Sequence, residues 1–107
     1  MNGIPQITVH ELKQRLDAGD DLLVLDVREP FEYQIANIGG RLVPMNDVPS
    51  RLAEIERDRE IVVQCKSGGR SQRVAEFLAQ SGYPNVKNLA GGILAWADQI
   101  DPSVPKY

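Results

Sequence analysis

The sequence predicts an α/β fold, a small parallel sheet of about five strands with helices on both faces. Two observations carry this. Leu22-Leu23-Val24-Leu25 and Ile61-Val62-Val63 are apolar at every position, as in strands covered on both sides. The segments around them place apolar residues at helical spacing, so strand and helix alternate.

In order, residues 4–7 form a first, weaker strand candidate. Thr8-Val9-His10-Glu11 has the spacing of a capping box, and Val9, Leu12 and Leu16 fall on one helical face. Gly19 and the Asp20-Asp21 pair end that helix before the strand at 22–25. Leu42-Val43 is a further weak strand. Val48, Leu52 and Ile55 predict a helix near Pro49. After the strand at 61–63, Val74, Phe77, Leu78 and Ser81 mark a helix stopped by Gly82, a residue suited to the position after a helix end. Residues 86–89 give the last strand, and Ile93, Leu94, Trp96 and Ala97 a short final helix. Phe77 and Trp96 are assigned to the core, with Trp96 near enough to edge a site at the sheet end. The tail Asp101-Pro102-Ser103-Val104-Pro105-Lys106-Tyr107 holds two prolines and is not helical throughout. It either clasps the domain or forms a seam for a fused partner.

Residues 1–107 are read as one domain with one core. The formal charge of −3 gives no basis for general nucleic-acid binding. No apolar run reaches the length of a membrane span, and Met1-Asn2-Gly3-Ile4-Pro5 lacks the regions of a signal peptide. The single cysteine forms no internal disulfide, which suits a reducing compartment, so a cytoplasmic monomer is expected.

That cysteine carries the chemistry. In parallel α/β sheets ligand sites lie beyond the carboxyl ends of the strands. Cys65 sits there, in Cys65-Lys66-Ser67-Gly68-Gly69-Arg70-Ser71, between an apolar run and a helix start. A lone cysteine is commonly just a small buried hydrophobe. Here Gly68-Gly69 permits a curl of inward-pointing N–H groups, and Lys66 and Arg70 add positive charge. Ser71 is expected to cap the following helix and to turn its hydroxyl to the loop. Free N–H groups and the positive helix end stabilise an anion, so the loop favours the thiolate at the mouth of the ring. Asp26, after the other strong strand, is expected to cap backbone N–H groups near the pocket, with Arg28 paired to Glu29 or Glu32. His10 has no second histidine nearby, so no metal site is expected.

The chain resembles the rhodanese family of thiosulfate sulfurtransferase-like domains. Its 65–71 loop is similar to that family's Cys, basic residue, any residue, Gly, any residue, Arg. Asp26-Val27-Arg28-Glu29-Pro30-Phe31-Glu32-Tyr33 resembles the upstream signature, and Gly91-Gly92-Ile93-Leu94-Ala95-Trp96 the closing one. Asn37-Ile38-Gly39-Gly40, Pro49-Ser50-Arg51-Leu52 and residues 91–107 look most like the rhodanese domain ending adenylyltransferase–sulfurtransferase fusions. Against that family's Gly-His-Ile-Pro-Gly, the chain has Ala36-Asn37-Ile38-Gly39-Gly40, without the histidine. That difference weakens transfer from the thiosulfate-using archetypes.

The resemblance implies a rhodanese-like fold and a persulfide on Cys65, the catalytic residue. Lys66, Ser67, Gly68, Gly69, Arg70 and Ser71 would bind the substrate, Asp26 and Arg28 would support them, and no cofactor is implied. The donor would be thiosulfate, another small sulfur compound or a protein persulfide, and the acceptor an external thiol or a ubiquitin-like sulfur carrier. Arg70 either attracts an anionic donor or is held by a carboxylate and shapes the loop. Two other readings remain open. One is a protein-binding module, the other a phosphatase or arsenate reductase, whose loop carries one residue more than the four between Cys65 and Arg70.

Overall fold

A computed structural model describes residues 3–107. Met1 and Asn2, part of the start read as lacking leader character, lie outside the described residues. Five parallel strands run in the order β1-β5-β4-β2-β3. They are β1 (Gln6–Ile7), β2 (Leu22–Asp26), β3 (Arg41–Leu42), β4 (Glu60–Gln64) and β5 (Val86–Leu89). The helices are α1 (Val9–Asp17), α2 (Pro30–Ile35), α3 (Gly69–Gln80) and α4 (Gly92–Gln99).

Strand alternation divides the core into two layers. Leu23, Leu25, Ile61 and Val63 join Val74, Ala75 and Leu78 of α3 on one face. Leu22 and Val62 meet Val9 and Leu12 of α1 and Trp96 of α4 on the other. Side chains of successive strand residues point to opposite faces, which is why fully apolar strands were needed. Cys65 continues the parity of Ile61 and Val63 and belongs to the α3 layer.

The predicted start of α1 is present, with the Thr8 hydroxyl accepting from Glu11 N–H and Glu11 accepting from Thr8 N–H. Leu16 lies on the same helix but is largely exposed at its end. The edge strands differ slightly from the sequence expectation: β1 starts only at Gln6, and β3 lies one residue earlier, at Arg41–Leu42.

No helix forms around Pro49. The segment makes two short 3₁₀ turns, Met45–Asp47 and Leu52–Glu54. Pro49 has no N–H to contribute to a helical ladder. Beyond it, the Leu52 and Ile55 carbonyls lie 3.0 and 2.9 Å from the Tyr83 hydroxyl that donates to them. The apolar spacing there serves burial of Val48 and Ile55, not an α-helix. Conversely, α2 was not foreseen. Its signals are Pro30 in the first turn and Glu32 three residues after Glu29, whose N–H donates to the Glu32 carboxylate at 2.8 Å. No helix among the described residues is long and apolar enough to cross a membrane.

Candidate active site

The site lies at the carboxyl edge of the sheet, where the last β2–β4 rung pairs Asp26 with Gln64. Cys65 follows directly. Gly68, at φ +112°, turns the chain and caps α3, so the loop ends on that helix's amino terminus. Ser71 is therefore not the cap; it sits inside the first turn, where its amide is still free to point at the sulfur.

Sγ of Cys65 accepts from Gly68 N–H at 3.1 Å and from Ser71 N–H at 3.4 Å, and lies 3.3 Å from the Ser71 hydroxyl. The residue is only 1% exposed, so the thiol is recessed beneath the loop and not at its mouth. Burial pushes the thiol up, but the Ser71 hydroxyl and the amides of Ser71, Gly68 and Ser67 outweigh it and leave Cys65 below the usual thiol range. The sulfur thus sits in a polar cradle on the apolar α3 layer. Asn88 of β5 was not anticipated. Its Oδ1 accepts from the Ser71 hydroxyl at 2.5 Å, and its Nδ2 donates to Gln6 Oε1 at 2.9 Å.

The loop is held from two sides. Glu32 of α2 receives Arg70 in a two-pronged pair, Nη1 to Oε1 at 2.7 Å and Nη2 to Oε2 at 2.9 Å. Arg70 therefore shapes the loop, and its hydrogen bonds hold the Glu32 carboxyl, against burial, down to about 2. From the other side, the first α4 amides reach the loop backbone: Ile93 N–H donates to Cys65 O at 2.9 Å and Leu94 N–H to Lys66 O at 3.1 Å. Gly92 permits that approach, because a Cβ there would lie 2.4 Å from Lys66 O.

Asp26 and Arg28 are both wholly buried, beside the cradle. Asp26 Oδ1 accepts from Arg28 N–H at 3.0 Å, the predicted backbone cap. The predicted partner of Arg28 is corrected: it pairs with Asp26, Nη2 to Oδ2 at 2.7 Å, and not with Glu29 or Glu32. With both side chains sealed, a lone charge would be left in the core by removal of either, which is their structural weight. Lys66 stays half-buried, its Nζ 5.2 Å from the centre of the Tyr107 ring. His10 is remote and exposed, beside Gln99. No cluster of three His, Cys, Asp or Glu occurs among the described residues.

The Rhodanese-like domain family matches residues 8–99, nearly the whole chain. The chain belongs to the rhodanese family. A sulfurtransferase of Allochromatium vinosum is 42% identical over 95 residues, covering 88% of this chain and 89% of that protein. The Mycobacterium tuberculosis protein named "Probable adenylyltransferase/sulfurtransferase MoeZ" is 38% identical over 104 residues, covering 94% of this chain but 26% of its own. The chain thus spans about a quarter of that fused relative and most of the first. Among solved structures, a rhodanese-related protein of Thermoplasma volcanium superposes with a TM-score of 0.83 at 33% identity, covering 96% of this chain and 99% of that one. Sulfur transfer is the activity that this rhodanese domain carries.

Proposed function

We propose that Cys65 is the sulfur-carrying nucleophile, and that the chain moves sulfane sulfur from an anionic donor to an external acceptor. The observation behind this is the cradle of loop donors around Sγ, which lowers the thiol's pKa in spite of burial. In the first step the thiolate attacks the outer sulfur of thiosulfate. The new S–S bond forms as the old one breaks, and sulfite leaves with the bonding pair. Cys65 then carries a persulfide anion. In the second step a nucleophile such as cyanide takes the outer sulfur, releasing thiocyanate and restoring the thiolate. The two displacements replace one difficult transfer. The loop amides at 66–71 are fixed in advance, so charge on sulfur is met without reorganisation.

With no second cysteine in the chain, the persulfide is resolved from outside. The recessed position of Sγ favours small sulfane donors, and slender acceptors such as a thiol or the extended end of a carrier protein. A ubiquitin-like sulfur carrier as acceptor is what the resemblance to adenylyltransferase–sulfurtransferase fusions implies, and the match to a protein of that name over 94% of this chain is in keeping with it. The family match over 8–99 supports reading 1–107 as one rhodanese domain. A phosphoryl group is a poorer fit, because the Arg70 fork that would clasp its oxygens is filled by Glu32.

The test is cyanide-dependent formation of thiocyanate from thiosulfate. Turnover in the native protein and its loss in Cys65→Ser are expected. Hydrolysis of a phosphate ester without thiocyanate formation would replace this reading with the phosphatase.

A further inference from the structure

The loop carries two cations, and the structure treats them differently. Arg70 spends its charge on the Glu32 carboxylate. Lys66, among the described residues, faces an aromatic ring instead, with Nζ 5.2 Å from the centre of Tyr107. A ring holds an ammonium in place without neutralising it, whereas a carboxylate would do both. The tail brings that ring to the loop by a defined route. Asp101 Oδ1 accepts from the amide and hydroxyl of Ser103 at 3.1 and 2.6 Å, and Val104 packs on the α1–α4 apolar layer. Phe31 of α2 then meets Tyr107 edge to face, with ring centres 6.2 Å apart and planes at 74°. Phe31 stays 56% exposed even with Tyr107 against it, and the tail supplies its aromatic partner. It immediately precedes Glu32, so the same turn of α2 steadies both loop cations.

We infer that Tyr107 is a positioning residue: its ring holds the ammonium of Lys66, the loop residue next after Cys65, and through Lys66 it strengthens capture of anionic sulfur donors. Without the ring, Lys66 is a flexible, strongly hydrated ammonium whose time near the entrance falls. This rests on the proposed role of Cys65, so its test uses one readout that sulfur transfer supplies and one that it does not.

The first is steady-state turnover with thiosulfate and cyanide. Tyr107→Leu should raise KM for thiosulfate about three- to fivefold with kcat unchanged. Tyr107→Phe, which keeps the ring, should restore the native KM. The second is alkylation of Cys65 by anionic iodoacetate relative to neutral iodoacetamide. That ratio should fall by the same factor in Tyr107→Leu, recover in Tyr107→Phe, and be insensitive to Tyr107→Leu in a Lys66→Met background. If the native protein does not turn over thiosulfate, the proposed function fails while the alkylation ratio still judges Tyr107. An unchanged ratio in Tyr107→Leu, or an equal fall in the Lys66→Met background, overturns the inference.

Discussion

Two effects of opposite sign meet at the sulfur of Cys65. Burial disfavours its charged form, and short-range donors favour it. The Ser71 hydroxyl is the mobile member of that set, because its single hydrogen has two claimants. Asn88 Oδ1 lies 2.5 Å away and Sγ 3.3 Å away. With a neutral thiol, S–H points to Ser71 oxygen and the hydroxyl hydrogen to Asn88. Once the thiol ionises, the same hydrogen can turn to sulfur. A hydrogen bond to a charged group contributes about 1.5–3 kcal/mol. Ser71→Ala should therefore move the pH profile of Cys65 alkylation to higher pH and slow alkylation at pH 7 roughly three- to tenfold. A profile identical to that of the native protein would remove the hydroxyl from the account. The Glu32 carboxyl, at about 2, loses its Arg70 brace only as pH falls from its unfolded value near 4.5 through that range. The neutral-pH dependence of transfer thus belongs to Cys65.

At the scale of elements, the loop after β4 is held by helices that come from elsewhere in the chain. Gly92 lies at φ +58°, and a Cβ there would press on the Lys66 and Cys65 carbonyls at 2.4 and 2.5 Å. Gly92→Ala should cost roughly 2–4 kcal/mol in urea unfolding and displace the loop. Gly69→Ala, where a Cβ meets nothing within 4 Å, should leave stability within about 0.5 kcal/mol. Equal losses in the two variants would contradict the packing argument. What the sequence revealed follows the same division. The fully apolar runs of β2 and β4, the Thr8 cap and the cysteine loop are local patterns and were legible. Glu32 lies 38 positions from Arg70, and Asn88 lies 17 from Ser71, so no spacing rule connects them. The six residues of α2 are too few for a periodic signal, and the spacing at 48–55 mimicked a helix that Pro49 and the Tyr83 hydroxyl prevent.

Across the whole molecule, two apolar layers fix a parallel sheet whose carboxyl edge presents one sulfur, backed by the buried Asp26–Arg28 pair. The relatives place this architecture both in a protein of nearly matching length and in a fusion about four times as long. The domain is thus set in chains of different length, while the proposed chemistry stays at one recessed atom. Intact-mass measurement after brief thiosulfate treatment reads that chemistry directly. The native chain should gain the mass of a single sulfur atom, give it up to cyanide or a reducing thiol, and show no gain as Cys65→Ser. No gain in the native chain, or a gain that survives in Cys65→Ser, would contradict the assignment of Cys65 as the sulfur carrier.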